Sequence, residues 1–205
     1  MTTETTQPAL RIVRSTDHLD LDLEALQGLW SEQQYLVLSE QTRQLIEFTD
    51  GVIEVLPMPT EKHQAISRWL FLALFTFLQQ LGGTVFYAPL RLQIRSGKFR
   101  EPDLLVMCAA ADPRRQDAYW LGADLVVEIV SPDRPARDTE EKPYDYAEAG
   151  IPEYWIVNPL NETITVLVLE AAQYREFGVF RRGEQACSHL LDGFCVPVDP
   201  VFDAR

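Results

Sequence analysis

The sequence predicts one α+β domain, a mixed central β-sheet flanked by helices, with an N-terminal helix and a β-hairpin ahead of it. Three observations carry that expectation. Residues 104–107 and 125–130 are short, continuous apolar runs rich in β-branched side chains and bounded by Pro102, Asp103 and Asp124, the pattern of strands covered on both faces. Residues 60–81 hold Ile66, Trp69, Leu70, Phe71, Leu74, Phe75 and Leu78, dense enough for a deeply packed helix. Asp50-Gly51 separates two β-rich runs, a strong short-range hairpin signal. A chain of 205 residues, 46% hydrophobic, is ample for one core. Residues 17–205 are therefore expected to form the domain, behind a flexible polar tail at residues 1–16.

Taken in order, Leu23, Leu26, Leu29 and Trp30 recur at helical spacing, which predicts a helix over residues 19–38, weakened at Gly28. The hairpin strands follow, residues 45–48 and 52–56. Thr60 caps the long helix and Gly82-Gly83 stops it. Residues 84–94 alternate Phe86, Ala88, Leu90, Leu92 and Ile94, reading as one strand. After the two central strands, Asp138 or Thr139 can cap a short helix ending at Gly150. Residues 151–157 and 163–169 read as strands joined by a turn at 158–161. The remainder reads as one or two edge strands and a tail. Between the central strands lies a polar loop, residues 109–122, anchored by Tyr119 and Trp120.

The formal net charge of −13 argues against a protein that coats nucleic acid through a broad basic surface. It leaves room for a local basic groove, with Arg91, Arg95, Lys98, Arg100, Arg114, Arg115, Arg134 and Arg137 as candidates; exposed, solvated charge is the plainer reading of all of them. Nothing reads as a signal peptide, and no apolar run is long enough to span a bilayer. Cys108, Cys187 and Cys195 suggest neither a disulfide framework nor a zinc knuckle, so a reduced cytoplasmic protein without membrane partners is expected.

The chemistry concentrates between residues 101 and 154. Asp103 stands at the mouth of one central strand and Glu128 inside the other, between Val127 and Ile129. A buried carboxylate needs a cation, a partner or a proton. A divalent metal shared with Asp103 answers for both. The order Pro102-Asp103, strand, Glu128 in the next strand is that of a PD-(D/E)XK nuclease site. More specifically, residues 36–169 resemble the Uma-two family of bacterial endonuclease-like proteins with a restriction endonuclease-like fold. The matching pieces are Glu47 with Asp50-Gly51, Pro57-Met58-Pro59 with His63, Ala88-Pro89, Pro102-Asp103-Leu104, residues 124–132, Arg137-Asp138, Glu141-Lys142, Tyr146, Ala149-Gly150 and Glu153-Tyr154-Trp155.

That resemblance implies a Mg²⁺-dependent endonuclease acting on DNA, with Mn²⁺ a possible substitute. Asp103 and Glu128 would hold the metal, with the carbonyl of Ile129 as third ligand. The lysine of the motif would stand at position 130, which is Val130. The family carries it on the following helix, where Lys142 matches; Pro143 then implies that this helix begins near Lys142. Glu47 is the candidate for an additional acidic residue, and His63 for phosphate binding or proton relay. Each has a plainer alternative: loop amides or Arg100 and Arg137 for the carboxylates, a surface ion pair for Lys142, a strand-edge glutamate, a helix-capping histidine. The alternative function is a silent nuclease-like module that binds DNA or protein. Under either, a homodimer is expected, since two-fold dimers are the commonest oligomers.

Overall fold

The computed structural model describes residues 11–14, 19–22 and 24–205. Along the chain run β1 (Arg11–Arg14), β2 (Leu19–Asp22), α1 (Glu32–Gln41), β3 (Ile46–Thr49), β4 (Val52–Val55), α2 (Glu61–Gln79), β5 (Thr84–Tyr87), β6 (Leu92–Arg95), β7 (Lys98–Arg100), β8 (Leu104–Met107) and β9 (Leu125–Ile129). Then follow α3 (Lys142–Glu148), β10 (Glu153–Asn158), β11 (Thr163–Glu170), β12 (Gln173–Phe180), β13 (Gln185–Cys187), β14 (Cys195–Pro197) and α4 (Val198–Asp203). The chain divides into two units, residues 1–58 with 96–100, and residues 59–95 with 101–205.

In the first unit, β1 pairs with β2, and β3 pairs antiparallel with both β4 and β7. The β3–β4 turn places Asp50 and Gly51 at φ 47° and 90°, the two left-handed positions that an Asp-Gly pair tolerates. The helix expected over 19–38 is corrected. Leu19–Asp22 is a strand, Glu24–Leu26 a single 3-10 turn, and Gly28 breaks the path at φ 85°. The helix starts only at Glu32, where Ser31 and Gln34 form a reciprocal capping box that outcompetes the weaker leucine periodicity upstream. Most of the tail expected at residues 1–16 lies outside the described residues; Arg11–Arg14 within it is strand.

The second unit is built on a six-stranded sheet in the order β12-β11-β10-β9-β8-β5. Only the β9–β10 pair is parallel, which makes the sheet mixed. Helix α2 buries Ile66, Leu70, Leu74 and Leu78 on the face formed by Val85, Leu104, Val106, Leu125 and Val127. The opposite face carries Leu105, Met107, Val126, Tyr154 and Ile156, with Tyr146 of α3 clustered against them. Four- and five-residue strands buried at every position explain why β8 and β9 read as unbroken apolar runs.

The strand expected over 84–94 is two strands. A cis Ala88-Pro89 bond interrupts it, and Phe86 is exposed while Leu92 and Ile94 are buried, so the alternation does not continue through the break. The reduced-cysteine expectation is also overturned: Cys187 and Cys195 are opposite one another across β13 and β14 and form a disulfide, leaving Cys108 free. A zinc role for that pair is thereby excluded. Among the described residues no helix is long and apolar enough to cross a membrane.

Candidate active site

Strand register brings the two predicted carboxylates together. Leu104 pairs with Val127 and Leu105 with Val126, so the antiparallel ladder continued by one residue sets Asp103 opposite Glu128. Residues directly opposite on one face have Cβ atoms about 4.5–5.5 Å apart, and like charges there repel. Alternation decides the face: Glu128 shares the parity of Val126 and Val130, and Asp103 that of Leu105 and Met107, all against the α3 side of the sheet.

The parallel β9–β10 pair requires a crossover, and that crossover supplies the cations and donors. It begins as a π-helical turn, Arg137–Glu141, and continues as α3 with Pro143 in its first turn. Helix α3 begins at Lys142, as the proline requires. Lys142 Nζ lies 2.7 Å from Glu128 Oε1 and 2.9 Å from Asp138 Oδ1, with all three side chains under 8% exposed. The hydroxyl of Tyr146 donates to the same Glu128 oxygen. Asp138 is itself held: Ser131 N–H donates to its Oδ2 at 3.4 Å, and the buried Tyr154 hydroxyl to its carbonyl at 2.7 Å.

Asp103 Oδ2 accepts the Ile129 N–H at 2.7 Å and lies 3.1 Å from His63 Nε2. His63 sits in the first turn of α2, where its N–H donates to the Thr60 hydroxyl. Its imidazole pKa is raised: burial pulls it down, but the hydrogen bond and charge of Asp103, with Asp138 behind, outweigh burial and Lys142. The Glu128 carboxyl is also raised, chiefly by complete burial; Lys142 opposes, while Asp103 and Asp138 add to the rise. The 2.7 Å contact and the raised pKa point in opposite directions for the charge on Glu128. Burial sets the direction, because the one ammonium is shared between Glu128 and Asp138 while the charge of Asp103 adds to the rise.

Asp103, Glu128, Lys142, His63 and the Ile129 backbone are thus gathered in one unit. Glu47 belongs to the other. It lies on β3, 1% exposed, with Arg100 Nε 3.4 Å from its carboxylate. Of the basic candidates, Arg95, Arg114 and Arg134 each face a carboxylate of their own unit, Glu148, Asp112 with Asp124, and Glu141. Sequence reasoning had Asp138 as a cap and Tyr146 only among the residues that match the family, and missed that both converge on the Lys142–Glu128 pair. The signal was there: Asp138, Lys142 and Tyr146 are spaced by four, one stripe of a helix.

For a hard cation, the donor set fits in kind. Asp103 Oδ1 and Glu128 Oε2 carry no hydrogen bond among the described residues, and the His63 Nδ1 is buried without a partner. Carboxylate oxygens of this sort, with water completing the shell, suit Mg²⁺. No group of three His, Cys, Asp or Glu side chains is gathered as a cation site among the described residues.

Comparison with known proteins identifies the family and the fold. Residues 32–199 match the Uma2 family, described as "Putative restriction endonuclease". No curated protein matches. Among solved structures, the chain is similar to one from Anabaena variabilis ATCC 29413, described as a "putative nuclease belonging to DUF820". The TM-score is 0.67 at 20% identity, covering 82% of this chain and 97% of that one. At that identity the likeness speaks for the fold alone.

Proposed function

Since this chain belongs to the Uma2 family, a family described by endonuclease activity, we propose that it is a metal-dependent phosphodiesterase acting on DNA. The observation that supports this reading most is the meeting of Lys142, from the crossover helix, with Glu128, from the strand, beside Asp103. It rebuilds the strand-borne lysine of a PD-(D/E)XK site from a different element, with Val130 in the usual place.

Asp103 and Glu128, with the Ile129 carbonyl, would hold Mg²⁺, or Mn²⁺ in its stead. A divalent ion there supplies charge neutralisation at the scissile phosphate and a more acidic water. The chain's own groups do the rest. The Ile129 N–H and His63 fix the rotamer of Asp103. Lys142 donates from its ammonium to the attacking water or to a phosphate oxygen and so orients it. His63 offers Nδ1 to a phosphate oxygen. Glu47 is proposed as an additional acidic residue, and the active form as a homodimer.

Nicking of supercoiled plasmid at low salt, with Mg²⁺ or Mn²⁺, tests the assignment. The wild-type protein should nick and Asp103→Ala should not; unchanged cleavage by the variant would sink it. A second reading, a silent module that binds without cutting, is favoured by the absence of a three-residue cation cluster among the described residues. DNA affinity retained without any metal binding would select it.

A further inference from the structure

We propose that Asp138 is the anchor that keeps the Lys142 ammonium in place when a cation takes up Glu128. The inference rests on the reading of Asp103 and Glu128 as cation ligands. Lys142 Nζ bridges two carboxylates, Glu128 at 2.7 Å and Asp138 at 2.9 Å, and only Glu128 shares a face and a register position with Asp103. A divalent ion drawn to Glu128 repels an ammonium bonded to the same group. In a site where that ammonium is 6% exposed, it has no water to retreat into. A second, fixed carboxylate lets the ammonium stay beside the cation, where a water or phosphate oxygen can reach it.

The backbone is built to hold that second carboxylate. The Lys142 N–H bonds to the Arg137 carbonyl five residues back, the signature of the π-helical turn. Such one-turn insertions recur at functional sites because they redirect side chains without breaking the helix. Here the turn carries Asp138, whose carbonyl and Oδ2 are held by Tyr154 and Ser131. Asp138 is thus a positioning residue. It acts through Lys142.

Calorimetric titration of the DNA-free protein with Mn²⁺ tests this, on wild type, Asp138→Asn, Lys142→Met and the double variant, each checked by its thermal melt. Asp138→Asn removes the second negative charge from beside the ammonium, strengthens the competition between Lys142 and the metal for Glu128, and should weaken Mn²⁺ binding by about 10–100-fold, as loss of an outer-shell partner does. Removing the competitor in the double variant should restore binding at least to the wild-type level, which a merely structural role for Asp138 does not predict. Wild-type affinity in Asp138→Asn, or a double variant no tighter than Asp138→Asn, overturns the anchor alone. No Mn²⁺ binding by any form, wild type included, overturns both the anchor and the ligand roles of Asp103 and Glu128. Should Asp138→Asn fail to fold, the wild-type protein serves: the Lys142 ammonium resonance should persist on Mg²⁺ addition, and its loss to solvent exchange overturns the anchor.

Discussion

Replacing Lys142 by Met should destabilise the protein in a strongly pH-dependent way. The substitution keeps the bulk of the side chain and removes the charge, leaving Glu128, 3% exposed, beside Asp103 and Asp138. The Glu128 carboxyl already stands above its ordinary value of 4.5, through burial first and against the pull of Lys142. Without the ammonium it must rise further. A carboxyl whose folded pKa exceeds its unfolded one keeps a proton that the unfolded chain releases. Stability is then intact below about 4.5 and falls with rising pH by up to about 1.4 kcal/mol per unit, until the folded pKa is passed. At pH 5 only the lost Asp138 bond should register, about 1–2 kcal/mol. Wild type follows the same fall until its own Glu128 value, about 8, is passed, so the two proteins part only above it; at about pH 9.5 the loss relative to wild type should reach about 3–4 kcal/mol. Urea denaturation of both proteins at pH 5 and about pH 9.5 measures this. An equal loss at the two pH values would refute the claim that the Lys142 ammonium holds the Glu128 carboxyl below the value burial alone would set.

Three other outcomes are expected. The His63 imidazole should titrate above 6.5 by NMR, its stabilisation complete below 6.5 and lost as pH rises through the folded value; in Asp103→Asn the midpoint should fall, because burial and Lys142 are then opposed by Asp138 alone. An unmoved midpoint would contradict the His63–Asp103 pair. Glu153, wholly buried on β10, accepts from Trp155 Nε1, the Ser188 hydroxyl and the N–H groups of His189 and Leu190 at 2.6–2.8 Å. Glu153→Ala strands those four donors and should cost about 3 kcal/mol or more in urea unfolding, and a loss under about 1 would show that water replaces the carboxylate. Gly51→Ala would put a Cβ 2.5 Å from the Gly28 carbonyl at φ 90°. Its thermal melt should report a loss of at least about 2 kcal/mol; wild-type stability would mean that the Gly28 loop moves freely.

The strands and the long helix were legible because their signals are local. Burial on both faces makes β8 and β9 continuous apolar runs, the Asp-Gly pair dictates its own turn, and Thr60 with Gly82 brackets α2. The N-terminal helix misled because leucine spacing at 23, 26 and 29 is a weak preference, overridden by Gly28 and by the Ser31 cap. The disulfide escaped notice because an eight-residue separation says nothing about facing strands.

For the candidate site, the sequence by itself determined which groups are present: two strand carboxylates that burial makes costly, and a lysine on the next helix in place of Val130. Only the tertiary structure decided who meets whom. The β8–β9 register sets Asp103 opposite Glu128, strand parity turns both toward the α3 face, and the π-helical turn brings Asp138 onto Lys142. These are long-range facts. A one-residue slip in register would turn Glu128 to the α2 face, and no local preference in the sequence forbids that slip; the packing of two different helices on the two faces does.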